Sequence, residues 1–295
     1  MFISPGRLLL LTLLIVALPV HAGQRCVRDD ARRQVCLPAA AKRIVSLSPG
    51  ATEVLFAAGA GDQVVATVSR SDYPPAAKKL PRVGSNQRLD LEAIVALKPD
   101  LVVAWRSGNP QAQIRRLQQL GLTVYYSEPR HIEQIATSLE RLAKLAGTEN
   151  TGESVANSFR SGMAALGKRY QQALPVRVFY QIWNQPLMTV NRQHLITEVI
   201  GLCGGVNVFA DLPQLAPRIS REAVLKANPE AIVVGGMGEH NDSWLKPWKA
   251  FPALAAVQRG NLFFVPPSTL QRPTPRLLIG ARTLCNQLEN ARDRR

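Results

Sequence analysis

The chain has 295 residues, a formal net charge of +15 at pH 7 and 46% hydrophobic residues. This length is enough for two domains, each with its own core. The basic residues are spread along the sequence with no basic helix or stripe, which argues against nucleic acid as a partner and indicates a generally basic surface.

Residues 1–22 are typical of a signal peptide. Arg7 supplies the positive start, residues 8–18 form an apolar core, and Val20-His21-Ala22 is a small-x-small cleavage site. The core is shorter than the about 20 residues that span a bilayer. We therefore expect residues 23–295 to be a soluble, monomeric protein of the periplasm, an oxidising compartment without nucleic acid.

The chain contains four cysteines, all after the signal: Cys26, Cys36, Cys203 and Cys285. An even number in an exported chain favours disulfides. Of the three possible pairings we favour Cys26 with Cys36, which closes a hairpin in the N-terminal extension, residues 23–41, and Cys203 with Cys285, which ties the last helix to the C-terminal lobe. No metal site is predicted, because the histidines are scattered and no Cys-x-x-Cys spacing is present.

An N-terminal α/β lobe is predicted for residues 42–146, where short apolar runs alternate with helical patterns. Strands are expected at residues 43–47, 64–68, 101–105 and 123–126. Helices are expected at residues 51–58, 91–97, 111–120 and from His131. The alternation favours a largely parallel sheet.

A long connecting helix is predicted within residues 147–174. Its apolar residues recur at spacings of three and four, as expected for one face of a helix: Val155, Phe159, Met163, Leu166 and Tyr170. Pro175 closes it. At 1.5 Å per residue, about 24 residues would reach about 36 Å, enough to bridge two lobes.

Residues 175–295 begin the alternation again and form a predicted C-terminal α/β lobe. Strands are expected at residues 177–182, 231–233 and 262–265, and helices at residues 194–203, 221–227 and from Pro275. The predicted fold class is therefore α/β: two lobes with central, mostly parallel sheets joined by one long rigid helix.

Two stretches share one pattern. Asp90 is followed by Glu92 and then by Pro99, and the spacing recurs from Ser220 through Glu222 to Pro229. Asp or Ser caps a helix, a glutamate near the start suits the helix dipole, proline ends the helix, and a valine-rich run follows as a buried strand. The repeat suggests two similar lobes. The alternative is that such units recur in any α/β protein.

Motifs of catalysis are missing from the sequence. We find no Gly-x-Ser-x-Gly elbow, no His-Glu-x-x-His and no phosphate-binding loop, so an enzyme is not predicted and a secreted hydrolase is a distant alternative. A cleft between two lobes is a usual ligand site. The loops expected to line it carry Arg70, Tyr73, Asn86, Trp105-Arg106, Trp183-Asn184, Trp244, Trp248 and residues 268–272.

Aromatic faces with a few hydrogen-bond donors suit a large, flat, partly apolar ligand. The alternative for each tryptophan is that it anchors its loop on its own lobe. A binding protein of another kind, an interaction module without a small ligand, is also open.

Several motifs, in order, resemble the periplasmic cobalamin-binding proteins of ABC importers. They are residues 43–49 with Thr52-Glu53, residues 71–75, Leu91-Glu92 through Leu101, Ala104-Trp105-Arg106, residues 202–205 with Asn207, and Ser220-Arg221-Glu222. The resemblance begins near Lys42. It implies two lobes on a helical backbone with modest hinge movement. It also implies a corrinoid held between the lobes and delivered to an ABC importer of the inner membrane, with no other cofactor.

The resemblance also assigns residues. It implies that Glu92 and Glu222 contact arginines of the permease, and that Cys203 and Cys285 form the disulfide of the family. The expected ligand-binding residues are Arg70, Tyr73, Asn86, Trp105, Trp183, Ser268 and Arg272.

The ligand site departs from the family pattern. Arg70 replaces a tyrosine, Asn86 and Ala216 each replace a tryptophan, and Ser268 replaces an aspartate, whereas Arg272 is retained. Cobalamin or a related corrinoid such as cobinamide is therefore expected, with Trp105 and Trp183 supplying aromatic faces. The alternative is an iron-siderophore or haem receptor of the same family, for which Tyr73 is a candidate axial ligand.

Overall fold

The computed structural model describes residues 23–236 and 238–295. The predicted signal, residues 1–22, lies outside this range. Within the described residues the chain forms an N-terminal hairpin, two α/β lobes and a long helix between them.

The hairpin consists of β1 (Arg25–Arg28) and β2 (Gln34–Leu37), paired antiparallel. Cys26 lies directly opposite Cys36, and the two form a disulfide. This confirms the predicted pairing. Val35 and Leu37 of β2 are buried in the core of the first lobe, so the hairpin is packed onto that lobe.

The N-terminal lobe contains a four-stranded parallel sheet. Its elements are β3 (Ile44–Ser46), α1 (Pro49–Ala57), β4 (Val64–Thr67), α2 (Leu91–Ala96), β5 (Leu101–Trp105), α3 (Gln111–Gln119), β6 (Val124–Ser127) and α4 (Ile132–Ala146). The strand order is β4-β3-β5-β6, with β6 at one edge.

The connecting helix is α5 (Glu149–Tyr170). Phe159, Met163, Leu166 and Tyr170 are buried, which confirms the predicted apolar face. The helix ends at Tyr170, earlier than the predicted end at residue 174. Proline lacks an N–H group and disfavours helical dihedrals in the residue before it, so Pro175 stops the helix a turn upstream of itself.

The C-terminal lobe contains the second four-stranded parallel sheet. Its elements are β7 (Val176–Gln181), α6 (Leu195–Leu202), β8 (Gly205–Asn207), α7 (Arg221–Ala227), β9 (Ala231–Val234), a 3-10 helix (Ser243–Ala250), α8 (Ala255–Gln258), β10 (Leu262–Phe264), α9 (Pro267–Leu270) and α10 (Leu277–Asp293). The order is β10-β9-β7-β8. The short strand β8 was not among the predictions.

The two lobes repeat one another. In each sheet the first strand of the lobe lies between the second and the third, and the fourth is at the far edge. The acidic residue after the repeated proline also repeats its contact. Asp100 Oδ2 accepts a hydrogen bond from the Arg43 N–H at 2.9 Å, and Glu230 Oε2 accepts one from the Arg177 N–H at 3.0 Å. Each pair joins the start of a lobe's first strand to the start of its third.

One buried cluster runs through both lobes. It contains residues of β3 and β5, of α4 and α5, and of β7, β9 and α10. Separate smaller clusters cover the outer face of each sheet. Among residues 23–236 and 238–295, no helix has both the length and the hydropathy needed to cross a membrane.

The second disulfide, Cys203 with Cys285, joins the end of α6 to α10 and also confirms the predicted pairing. Both cysteines are fully buried. We expect replacement of both by alanine to lower the free energy of unfolding by about 3 to 4 kcal/mol, because the bond closes a long loop in the unfolded chain. Denaturant unfolding of the purified protein measures this.

The matched control replaces Cys26 and Cys36 by alanine. These cysteines are only 10 positions apart, against 82 for the buried pair, so a smaller loss of about 2 to 3 kcal/mol is expected. Equal losses for the two variants would contradict the loop-length argument.

Candidate functional site

A cleft of about 740 Å³ lies between the two lobes. Its walls are the connections that follow the carboxyl ends of strands, and they include residues 48–51, Trp105, Ser107, 127–130, Trp183, 238–239, 267–268 and 270–273. In open parallel sheets ligands bind outside this edge, next to the point where the strand order reverses. Both sheets therefore present the carboxyl ends of their strands to one shared space.

Six of the seven predicted ligand-binding residues line this cleft. They are Arg70, Asn86 and Trp105 from the N-terminal lobe, and Trp183, Ser268 and Arg272 from the C-terminal lobe. Tyr73 is placed differently. Its ring packs against the guanidinium of Arg276, 3.9 Å from the ring centroid, so it belongs to a contact between the lobes.

Trp183 is held in place from behind. Its indole N–H donates to the Gln185 carbonyl oxygen at 2.9 Å, and its ring packs edge to face against Trp244, with centroids 5.9 Å apart. It remains 42% exposed. Trp244 and Trp248 are buried in the core of the C-terminal lobe, so the alternative reading, an anchor for the loop, is the correct one for both.

Trp105 is positioned by its own loop. A Cβ atom at Gly108 would lie 1.9 Å from the indole ring, so only glycine lets the ring pack there. The buried side chain of Asn109 accepts a hydrogen bond from the Trp105 N–H at 2.7 Å and donates to the carbonyl oxygens of Leu47 and Asn86 at 2.9 and 3.0 Å. Asn109, which was not among the predicted site residues, thus joins three cleft-lining segments.

An interlobe ion cluster, Glu53, Asp72, Arg272 and Arg276, spans one end of the cleft. Glu53 Oε1 accepts from Arg272 Nη1 at 2.7 Å, and its two oxygens accept from Nε and Nη2 of Arg276, both at 2.9 Å. Asp72 Oδ1 accepts from Arg272 Nη1 at 2.8 Å. Glu53 is 3% exposed, so a buried carboxylate of one lobe is neutralised by two guanidinium groups of the other.

The cluster changes the interpretation of Arg272. Burial alone would lower the pKa of its guanidinium, but the Asp72 and Glu53 carboxylates raise it, so the side chain is a permanent cation committed to these two partners. Its Nη2 also approaches the Arg70 carbonyl oxygen at 3.4 Å. Glu53 was not predicted to have a role, although a glutamate within the apolar helix α1 was the available signal.

The C-terminal lobe also contributes a carboxylate to the cleft. The Ser268 hydroxyl donates to Glu239 Oε2 at 2.6 Å, and both residues line the cleft. Ser268, which replaces an aspartate of the family pattern, therefore holds the Glu239 carboxylate close to that position through a hydrogen bond. Glu239 was missed because it lies in a turn within the connection after β9, where the direction of a side chain cannot be inferred from spacing.

His194 lines the cleft at the start of α6. Its Nδ1 accepts a hydrogen bond from the Ile196 N–H at 3.2 Å, and burial lowers the pKa of the imidazole to about 4. The ring is therefore neutral at neutral pH and carries its proton on Nε2, which makes Nε2 a donor. Within residues 23–236 and 238–295, no group of three or more His, Cys, Asp or Glu side chains is arranged to hold a metal ion.

Glu92 and Glu222 are exposed near the starts of α2 and α7, at equivalent positions of the two lobes. Asp90 and Ser220 cap these helices, each accepting a backbone hydrogen bond, at 3.0 and 3.2 Å. A hydrogen bond from Ser220 lowers the pKa of Glu222, which keeps it anionic. Neither glutamate lines the cleft.

Known proteins resemble this chain in sequence and in fold. The family model described as periplasmic binding protein matches residues 44–269. A vitamin B12-binding protein of Yersinia pestis (strain Pestoides F) is 42% identical over 253 residues, which cover 85% of this chain and 88% of that protein.

Solved structures share the fold. The periplasmic vitamin B12 binding protein of Vibrio cholerae has a TM-score of 0.78 and 39% identity, covering 85% of this chain and 98% of that one. A periplasmic haem-binding protein from Roseiflexus sp. RS-1 has a TM-score of 0.76 over the same shares, but at 23% identity this likeness concerns the fold alone. The two-lobed chain belongs to the periplasmic binding protein family.

Proposed function

We propose that this protein captures cobalamin or a closely related corrinoid between its lobes and delivers it to an ABC importer of the inner membrane. The observation that carries the proposal is the pair of exposed indoles, Trp105 and Trp183, which enter one cleft from opposite lobes. Export by the predicted signal and residence in the periplasm are part of the proposal. It describes a binding protein without a catalytic step.

The chemistry of the cleft suits a corrinoid. The macrocycle offers apolar faces to aromatic side chains, and its rim of amide groups needs both donors and acceptors. Arg70 and Asn86 supply donors from one lobe, and Glu239 with Ser268 supplies an acceptor from the other. Arg272 contributes chiefly by joining the lobes next to the ligand.

A haem receptor is less well supported. Haem iron in binding proteins takes an axial ligand such as His or Tyr. The two candidates here are engaged otherwise, since His194 keeps its proton on Nε2 and Tyr73 packs on Arg276. The relatives named for vitamin B12 also share far more sequence with this chain than the haem-binding structure does.

Glu92 and Glu222 are the proposed contacts with the permease. A helix that leads into a parallel strand runs back across the sheet, so its amino end lies toward the edge where the strands end. By this rule both glutamates lie on the side where the cleft opens, one on each lobe. A partner that binds both would approach the ligand directly.

Titration calorimetry of residues 23–295 with cyanocobalamin tests the proposal, with cobinamide, haem and a ferric siderophore as parallel titrants. One-to-one binding of a corrinoid is expected, stronger than micromolar. Binding of haem or of the siderophore, without binding of any corrinoid, would mean that the ligand belongs to that other class. A protein that shows neither binding nor a thermal shift with any of them would be an interaction module instead.

We expect Trp105→Ala and Trp183→Ala each to weaken corrinoid binding by about ten- to a hundredfold, because each removes an aromatic face at the centre of the site. The same titration measures this. Leu120→Ala is the control, since Leu120 is similarly exposed but lies at the end of α3, outside the cleft. Unchanged affinity in both tryptophan variants would contradict the assigned site.

A further inference from the structure

The turn of the N-terminal hairpin covers the free edge of β6. The Asp30 N–H donates to the Tyr126 carbonyl oxygen at 3.0 Å, and the Arg33 guanidinium donates to the Val124 carbonyl oxygen at 2.9 Å. The Tyr126 N–H donates to Asp29 Oδ2 at 3.3 Å. An edge strand presents unpaired backbone groups, and here the turn satisfies three of them.

The turn is itself rigid. Asp29 is 2% exposed and accepts hydrogen bonds from the backbone N–H groups of Ala31 and Arg33 at 2.9 and 2.8 Å. The Arg33 guanidinium also contacts Asp29 Oδ2 at 2.8 Å and lies 4.2 Å above the ring of Tyr126. The Cys26–Cys36 disulfide links the two strands that the turn connects.

The same turn reaches the cleft loop, residues 127–130, all of which line the cleft. Asp30 Oδ2 accepts a hydrogen bond from the Glu128 N–H at 2.7 Å, and Oδ1 accepts one from Arg141 Nη1 of α4 at 2.9 Å. The Asp30 side chain is 5% exposed, and its carboxylate thus joins the cleft loop to α4, the helix that follows the loop.

We propose that Asp30 is a positioning residue of the ligand site. From behind the cleft wall, its carboxylate holds the cleft loop in place by accepting the hydrogen bond of the Glu128 N–H. The inference rests on the proposed function, since the cleft is the proposed ligand site. The matched family model begins only at residue 44, so Asp30 lies outside the residues that it matches. The N-terminal extension thereby influences ligand affinity without contacting the ligand.

The test compares Asp30→Ala with Asp30→Asn. The alanine removes the acceptor, whereas the asparagine makes the same change in charge but keeps an oxygen for the Glu128 N–H. We expect amide hydrogen exchange at Glu128, followed by NMR in the ligand-free protein, to be at least about tenfold faster in Asp30→Ala. Cyanocobalamin affinity is expected to fall about tenfold in Asp30→Ala and to stay within about threefold in Asp30→Asn.

Arg25→Gln is the second control. Arg25 anchors the other end of the hairpin to Glu149 and to the Lys144 carbonyl oxygen, away from the cleft loop. We expect it to leave both Glu128 exchange and ligand affinity unchanged. An equal loss of affinity in Arg25→Gln and Asp30→Ala, or continued protection of the Glu128 amide in Asp30→Ala, would overturn the proposal.

The exchange measurement needs no ligand. If the wild-type protein binds no corrinoid, the proposed function fails, and Glu128 exchange alone decides whether Asp30 positions the loop. If Asp30→Ala does not fold, Asp30→Asn is compared with Asp30→Leu, which retains bulk without an acceptor.

Discussion

Ligand uptake is expected to stop when the charges of Glu92 and Glu222 are reversed together. Glu92→Arg with Glu222→Arg would place cations opposite the permease arginines implied by the resemblance, and like-charge contacts strongly disfavour a complex. Replacing both by glutamine removes only exposed attractions, so uptake should then fall by about tenfold or less. Transport of radiolabelled cyanocobalamin into cells or vesicles measures the effect.

The control for net charge is Asp62→Arg with Glu153→Arg, since both residues are exposed and lie outside the repeated units. This pair should leave uptake near the wild-type rate. Ligand affinity should be unchanged in all three double variants, because neither Glu92 nor Glu222 lines the cleft. Normal uptake by the Glu92→Arg, Glu222→Arg protein would refute the docking role.

Loss of the Glu53 carboxylate should destabilise the protein. Glu53→Gln leaves the mostly buried guanidinium groups of Arg272 and Arg276 without their shared counter-charge, and breaking such a pair costs about 3 to 5 kcal/mol. We expect a loss of about 3 kcal/mol in denaturant unfolding. The lobes should also lie at a wider range of distances, measured between spin labels placed one on each lobe.

Asp72→Asn is the matched control, because Asp72 contacts the same arginine from a half-exposed position. A loss of less than about 1 kcal/mol is expected there. Similar losses in the Glu53 and Asp72 variants would mean that burial of the glutamate does not govern the strength of the cluster.

Local patterns were sufficient to predict much of the fold. The caps at Asp90 and Ser220 and the apolar face of α5 depend on neighbours within a few positions, and the structure confirms them. The end of α5 was predicted wrongly because Pro175 shows that the helix must stop before it, but the sequence does not show how many residues before it.

The site was harder to predict because its contacts join distant parts of the chain. Glu53 and Arg272 are 219 positions apart, so neither residue identifies the other. Asn109 could be recognised only once three loops were seen to meet around it. For Trp248 the sequence left two roles open, and only the structure shows that its ring lies in the core and not in the cleft.

The repeated placement of Glu92 and Glu222 on two lobes makes their separation a measure of how far the lobes have closed. Each glutamate is fixed to its own lobe by a capped helix that leads directly into a central strand. A rigid receptor with two cations at a set spacing would therefore match one degree of closure best. Under the proposed docking role, a permease would then recognise the loaded form without contacting the cargo, because the distance between Glu92 and Glu222 would report the closure of the lobes.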